Sequence, residues 1–330
     1  MNRRAISLLS GGLDSLLATK LVLEQGVEVI GLHFTSPFCT CSKGRKGCGI
    51  QAVRSARELG IEIVVENKGM DYMRIVESPK YGYGRQMNPC IDCRIYMLKK
   101  AKELMIERNC SFVITGEVLD QRPMSQRFGL MRLIEKEAGL QGRVLRPLSG
   151  KLLPPTLPEM EGIVERERFL AVRGKGRKVQ YERVRSYGLK EFSCPGGGCL
   201  LTDPAFSKRV KDLFVHQKDY TLQDVFLLKI GRHIRIDREV KFIVGRNRTE
   251  NETLKSIRRP TDVLLTPVGF KGPSALVVGK VNPEILRLGA TVMAHYAKYR
   301  FLSVTVESEG LENRVWTFAK VDFDFERFII

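Results

Sequence analysis

The stretch Ser10-Gly11-Gly12-Leu13-Asp14-Ser15 lies between two patterned segments. Before it, Arg4-Ala-Ile-Ser-Leu-Leu-Ser10 reads as a short buried strand. After it, Leu16 to Glu24 repeats apolar residues at helical spacing. A glycine pair at such a junction lets the backbone come close to a ligand, and the helix N-terminus offers unpaired N–H groups and positive potential. Ser10 and Ser15 add hydroxyl donors. Asp14 is out of place beside a phosphate unless it orients the loop or helps to hold a magnesium ion. The loop has neither the GxxxxGK[ST] of a Walker loop nor the GxGxxG of a dinucleotide site. A plain glycine turn capping a helix is the alternative, and the full six-residue pattern between strand and helix argues against it.

Working outward, Gly26 ends the first helix and Val27 to Phe34 reads as a second strand. A Cys/Lys/Gly-rich loop follows over 35–47. Then come a helix over 50–59, a strand over 61–65, a strong helix over 91–108 and a strand over 111–115. Strands alternating with helices predict an α/β fold, a parallel sheet with helices on both faces. In such sheets ligands bind at the carboxyl ends of the strands, where both Ser10–Ser15 and Thr115-Gly116-Glu117 fall. From about Tyr220 the pattern turns to β alternation. Strands are expected at 225–231, 232–236, 239–245, 262–266, 275–278 and 302–307, with a helix over 284–300. Three segments result: 1–150, an α/β ligand-binding domain; 151–216, a basic, cysteine-containing extension; and 217–330, a smaller α+β domain.

The chain has 55 Lys and Arg against 37 Asp and Glu over 330 residues, a formal charge of +18, which favours a polyanionic partner, RNA or DNA first. Residues 142–190 carry 12 Lys/Arg against 5 Asp/Glu. Within them Arg173-Gly-Lys175-Gly-Arg177-Lys178 is a basic loop whose glycines allow phosphates to approach. A solvated charged face is the plainer reading. No run reaches the ~18 apolar residues that a membrane helix needs. The apolar run after Asn2-Arg3-Arg4 is too short for a secretion signal and lacks a cleavage site, so a cytoplasmic location is expected. Eight cysteines in such a chain are not a disulfide framework. Cys110 lies in an apolar strand. Cys90 and Cys93 form a CxxC just before a helical pattern, where thiolates are acidified, and Cys194 and Cys199 flank Pro-Gly-Gly-Gly. Cys39, Cys41 and Cys48 form a further loop cluster with no clear fourth ligand.

Ser10-Gly-Gly-Leu-Asp-Ser15 resembles the PP-loop of the ATP pyrophosphatases, among them argininosuccinate and GMP synthetases, tRNA lysidine synthetase and the tRNA thiouridine synthetases. Asn88-Pro-Cys-Ile-Asp-Cys93, Thr115-Gly-Glu-Val-Leu-Asp-Gln-Arg-Pro-Met-Ser125, Arg146-Pro-Leu-Ser-Gly-Lys-Leu-Leu-Pro154 and Gly197-Gly-Cys-Leu-Leu-Thr-Asp203 resemble the tRNA thiolation branch, the 2-thiouridine and 4-thiouridine sulfurtransferases. That likeness covers about residues 4–215. Lys241-Phe-Ile-Val-Gly-Arg-Asn-Arg-Thr-Glu-Asn251, with Asp262-Val-Leu-Leu and Gly272-Pro-Ser, is similar to the RNA-binding domain of NFACT proteins, over about 220–310.

The resemblance implies an enzyme that adenylates a tRNA uridine carbonyl and replaces the oxygen with sulfur. Ser10, Gly11, Gly12, Asp14 and Ser15 would hold ATP phosphates and Mg2+. His33 and Phe34 would lie near the adenine, and Gly116 would border the nucleotide. Cys90, Cys93 and Cys199 match the family's three cysteines. They would either carry a persulfide and resolve it, or hold a [4Fe-4S] cluster with an open iron, which a close pair plus one distant cysteine suits. A Zn2+ site with Cys194 as a further ligand is the structural alternative. Arg173, Lys175, Arg177 and Lys178 would grip tRNA, with Arg246 and Arg248 adding an RNA contact and ribosomal RNA as a further partner. The sulfur donor would be sulfide or a persulfide-carrying protein. A ligase or amidotransferase on a small molecule, or an RNA-binding quality-control factor with a vestigial PP-loop, are the other readings.

Overall fold

The computed structural model describes residues 2–40, 48–193, 198–298, 303–310 and 313–330. Cys41, Cys194 and the Cys48 side chain lie outside what it describes. The chain forms two compact units, Met1–Thr202 and Asp203–Ile330.

In the first unit, β1 (Arg4–Leu8), α1 (Leu13–Leu23), β2 (Glu28–Thr35), α2 (Cys48–Leu59), β3 (Ile63–Asn67), α3 (Met70–Glu77), α4 (Cys90–Glu107), β4 (Phe112–Thr115), α5 (Phe128–Ala138), β5 (Val144–Leu145), α6 (Leu157–Met160) and α7 (Lys178–Ser186) follow in order. The sheet runs β3-β2-β1-β4-β5 with every pairing parallel. The chain moves from β1 outward through β2 to β3 and then returns to place β4 on the other side of β1. The crevice at the carboxyl ends of β1 and β4 is therefore the switch point at which such sheets bind ligands.

Period-two alternation sorts the strand residues between two cores. Ala5, Val29, Phe112, Ile114 and Leu145 pack with α1 and its neighbours. Ile6, Leu8, Ile30, Leu32, Val113 and Val144 pack on the other face against α4 and α5 residues such as Leu98, Met105 and Ile134. Helix α1 is buried nearly all round, from Leu13 to Val22, and packs against α7 as well as the sheet. The 151–202 segment thus completes the first unit's core instead of standing apart from it. Phe169, Leu170, Val172, Val184 and Leu189 belong to the same cluster as α1.

The second unit comprises α8 (Pro204–His216), α9 (Leu222–Leu227), β6 (Arg232–Arg235), β7 (Val240–Val244), α10 (Arg248–Ile257), β8 (Val263–Pro267), β9 (Ala275–Gly279), α11 (Pro283–Tyr296), β10 (Ser303–Glu309) and β11 (Arg314–Ala319). Its six strands pair antiparallel in the order β11-β10-β8-β9-β7-β6. The apolar run Val225-Phe-Leu-Leu-Lys-Ile, expected as a strand, instead ends α9 with its first three residues and continues as a turn. The side chains of Thr221 and Asp224 cap each other's backbone and start a helix there.

Candidate functional site

The turn after β1 owes its shape to close approach. Gly11 has φ +75°, and a Cβ there would stand 2.7 Å from the Ala52 backbone nitrogen. Gly12 occupies the N-cap of α1 with no side-chain cap, so the first-turn N–H groups of α1 remain for a ligand. Ser15 Oγ donates to the Gly12 carbonyl at 3.0 Å, accepts from the Ser10 N–H at 3.2 Å and lies 3.0 Å from Ser10 Oγ. From β4, Gly116 presses on the same turn: a Cβ there would lie 2.5 Å from Ser15 N. The neighbouring Glu117 fixes that approach. It is buried between Arg94 at 3.3 Å and Arg146 at 2.9 Å. Against the pull of burial, the two guanidiniums hold its carboxyl below the usual range.

The cavity above the turn is about 240 Å³ and is lined by Ser10, Gly12, Asp14, Ser15, His33, Phe34 and Gly116, with Arg94, Gln121, Arg122, Arg177 and Ser193. Asp14 is its one lining carboxylate among the described residues. It accepts from Gln121 Nε2 at 3.2 Å and Gln180 Nε2 at 3.3 Å, and Arg177 Nε lies 3.5 Å away. One carboxylate beside a phosphate cradle is the donor set that Mg2+ takes when substrate phosphates complete its shell. His33 is buried, and burial keeps its imidazole below its ordinary pKa and so neutral. Its Nδ1 donates to the Leu9 carbonyl at 2.9 Å. Nε2, which has no partner, is left as an acceptor on the cavity wall. Phe34 adds an aromatic face on the same wall.

Next to this cavity the fold gathers thiols. Cys90 and Cys93 open α4 behind its N-cap Pro89. The loop before them is tied down by Asp92, which accepts from the N–H groups of Lys80 at 3.0 Å and Tyr81 at 3.1 Å. The Met87 N–H donates to the Leu201 carbonyl at 3.1 Å, which carries Cys199 to the same place. All three thiols lie within electrostatic reach of the buried Tyr72 hydroxyl. Their environments differ. Burial pushes Cys90 up, and Cys199 to about 11. Cys93 is lowered: burial opposes ionisation there, but the buried Lys68, whose Nζ donates to Cys93 Sγ at 3.0 Å, and a bond from Tyr72 outweigh it. Lys68 in turn sits over the Tyr72 ring at 4.6 Å.

As the side chains stand, no three Cys, His, Asp or Glu among the described residues are close enough together to hold a metal ion, and Lys68 engages Cys93 instead. The set is still of one chemical kind, three soft thiols, which is the donor type of iron–sulfur and thiolate–zinc sites.

Residues 1–151 match the family model described as thiamine biosynthesis protein (ThiI), and residues 231–321 match that of the NFACT protein RNA binding domain. The first part of the chain is thus similar to ThiI, and residues 231–321 are similar to the RNA binding domain of NFACT proteins. The chain's relatives include the tRNA-specific 2-thiouridylase MnmA of Symbiobacterium thermophilum, 34% identical over 178 residues, covering 47% of this chain and 44% of that one. The MnmA of Amoebophilus asiaticus is 28% identical over 190 residues, or 50% and 49% of the two chains. That of Rippkaea orientalis is 28% identical over 249 residues, or 71% and 65%. The chain thus spans about half the length, or less, of the first relatives it matches. A crystal structure of a 4-thiouridine synthetase–RNA complex with bound ATP is 23% identical and covers 68% of this chain and 51% of that one, at a TM-score of 0.38.

Of the expected PP-loop residues, Ser10, Gly12, Asp14 and Ser15 line one cavity with His33, Phe34 and Gly116, while Gly11 shapes the turn against Ala52 without lining it; Cys90, Cys93 and Cys199 lie beside that cavity. The basic loop divides. Arg173 pairs with Asp120 at 2.7 Å and stays mostly exposed, Lys175 and Lys178 are exposed, and Arg177 turns inward to Asp14. In the second unit, Arg246 is held by Glu250 and the Lys229 carbonyl, while Arg248 pairs with Glu252 and stays almost fully exposed. Residue patterns did not point to Lys68, Tyr72, Arg94, Arg122 or Gln180. Gln121 and Arg122 lay within the Thr115–Ser125 motif and Arg94 directly follows Cys93, so position beside a motif was the available signal.

Proposed function

We propose that this chain is an ATP-dependent tRNA sulfurtransferase that makes thiouridine. One observation carries the reading: Arg122 lines the nucleotide cavity and lies within electrostatic reach of both Asp14 and Cys90. A carbonyl activated at the turn therefore sits beside the thiols that would supply sulfur.

ATP would place its phosphates against the first-turn N–H groups of α1 and the Ser10 and Ser15 hydroxyls, with Asp14 and Mg2+ on the same side. The adenine amine meets the His33 Nε2 acceptor, and the ring meets Phe34. The uridine carbonyl oxygen attacks the α-phosphorus and pyrophosphate leaves, its charge taken up by the helix N-terminus, Arg177 and Arg122. The adenylated carbon is then attacked by sulfur, and AMP departs with the original oxygen. The base must leave its stack to reach this depth. If a [4Fe-4S] cluster is bound, Cys90, Cys93 and Cys199 would hold it, and its chemistry is to present sulfide at an iron without a protein ligand. Without it, Cys93, its thiol lowered beside Lys68, would take up a persulfide sulfur from a persulfide-carrying protein; the outer sulfur attacks the adenylated carbon as AMP leaves, and a second cysteine then attacks the Cys93 sulfur, forming a disulfide and releasing thiouridine. Lys175, Lys178 and Arg248 face solvent, where tRNA phosphates, and in the second unit ribosomal RNA, are met.

The reading is tested by nucleoside mass spectrometry of tRNA from cells with and without the gene. A thiouridine species should disappear on deletion, and an unchanged nucleoside profile would sink the proposal. The nucleotide site has its own test. Gly116→Ala forces the α1 turn to move, because the added carbon meets backbone and not a flexible side chain. ATP affinity should fall at least tenfold by calorimetry, with about 1–3 kcal/mol of stability lost. Unchanged affinity would show that this contact does not shape the site.

A further inference from the structure

Cys39 and Cys199 are paired across an isolated antiparallel bridge, though 160 residues apart in sequence. The hydrogen bonds define which kind of pair it is. The Leu200 N–H donates to the Phe38 carbonyl at 2.8 Å, and the Thr40 N–H donates to the Gly198 carbonyl at 3.4 Å. Bonds from the flanking residues, with none between the two themselves, make Cys39 and Cys199 a non-hydrogen-bonded pair. In such pairs the Cα atoms are ~4.5 Å apart and the side chains are at their closest. That distance is inside the ~4.4–6.8 Å window in which a disulfide closes without moving the backbone. The bridge is also anchored. Phe38 and Leu201 are fully buried on its two sides, the Phe38 ring lies 6.4 Å from that of Tyr72, and Thr40 Oγ1 donates to the Gly198 carbonyl at 3.0 Å. Both cysteines are half-buried.

We propose that Cys39 is the disulfide partner of Cys199, so that oxidation of this cross-strand pair withdraws Cys199 from the thiol site. The functional half of this inference rests on the sulfurtransferase reading; the bond itself does not. With oxidised glutathione as oxidant, one thiolate of the pair attacks a glutathione sulfur and releases one glutathione thiolate. The second thiol loses its proton and attacks the mixed disulfide, releasing the other. Two protein thiols give up two electrons and two protons, and one glutathione disulfide becomes two thiols.

The full chain is incubated with oxidised glutathione, blocked with an alkylating agent, digested without reductant and sequenced by tandem mass spectrometry. Fragmentation is needed because Cys39 shares a tryptic peptide with Cys41, and Cys199 shares one with Cys194. The expected product is a Cys39–Cys199 link as the main cross-link, absent from Cys39→Ser. A link through Cys41 or Cys194 instead, or glutathione adducts alone, overturns the proposal. This mapping needs neither ATP nor tRNA, so its outcome is independent of whether thiouridine is made. In the activity arm, oxidation should lower tRNA thiolation by wild type at least tenfold, reversibly with dithiothreitol, while Cys39→Ser keeps its basal rate under the same treatment. Equal sensitivity of the two proteins would overturn the gating role.

Discussion

Asp14→Asn should lower tRNA-dependent pyrophosphate release by about 10²–10³-fold and leave tRNA affinity within twofold. The side chain keeps its size, and its remaining oxygen still accepts from one of Gln121 or Gln180, so the turn should keep its shape. What disappears is the one negative charge lining the cavity among the described residues, and with it the proposed Mg2+ ligand and the counter-charge of Arg177. A charged group acting where the transition state develops charge is worth on the order of 3–4 kcal/mol in a water-poor site, which sets the size of the effect. The pair with Arg177, partly exposed at 3.5 Å, contributes little to stability by comparison. Pyrophosphate release surviving in the variant would remove Asp14 from the chemistry. A parallel loss of tRNA binding would make it a residue of the fold.

Cys93→Ala should separate the two half-reactions. In the proposed reaction, adenylation is assigned to the cavity at the carboxyl ends of β1 and β4, and sulfur delivery to the thiols beside it. Thiouridine formation should therefore fall more than 100-fold while pyrophosphate release stays within threefold. Cys199→Ala should behave alike. Cys110→Ala is the control: that thiol is buried in the core among Met105, Val113 and Leu140, so its loss should cost stability and not sulfur transfer. Iron and sulfide analysis of anaerobically purified protein assigns the mechanism. Cluster chemistry predicts about four irons lost from the Cys93 variant. Persulfide chemistry predicts none in either protein. If pyrophosphate release fell in step with thiolation, the thiols would be part of the nucleotide site and the division would be wrong.

The parts of this architecture that were legible in the sequence are those where one local pattern excludes the others. β1, β2 and β4 are apolar runs closed by turn residues, and the Ser10–Ser15 loop has few structural uses. Val225–Gly231 shows the limit: a short apolar run fits strand or helix equally, and the Thr221–Asp224 cap that decides it involves two polar residues outside the run. Arg177 shows another. It stands among exposed basic residues in sequence, yet its place at the N-cap of α7 turns it inward to Asp14, and charge counting has no sense of direction. Lys68 is the third kind. A lysine after a strand reads as solvent-exposed, and only the meeting of β3, α3 and α4 buries it on the Cys93 thiol. The pairing of Cys39 with Cys199 is likewise a product of topology, invisible until both loops are placed.

The most direct measurement is quantitative mass spectrometry of tRNA nucleosides from a strain lacking this chain, complemented in turn with wild type, Asp14→Asn and Cys93→Ala. The account predicts that one thiouridine species is lost on deletion, restored by wild type, and restored by neither variant. Thiouridine at wild-type levels in the deletion strain, or restored by both variants, would contradict it.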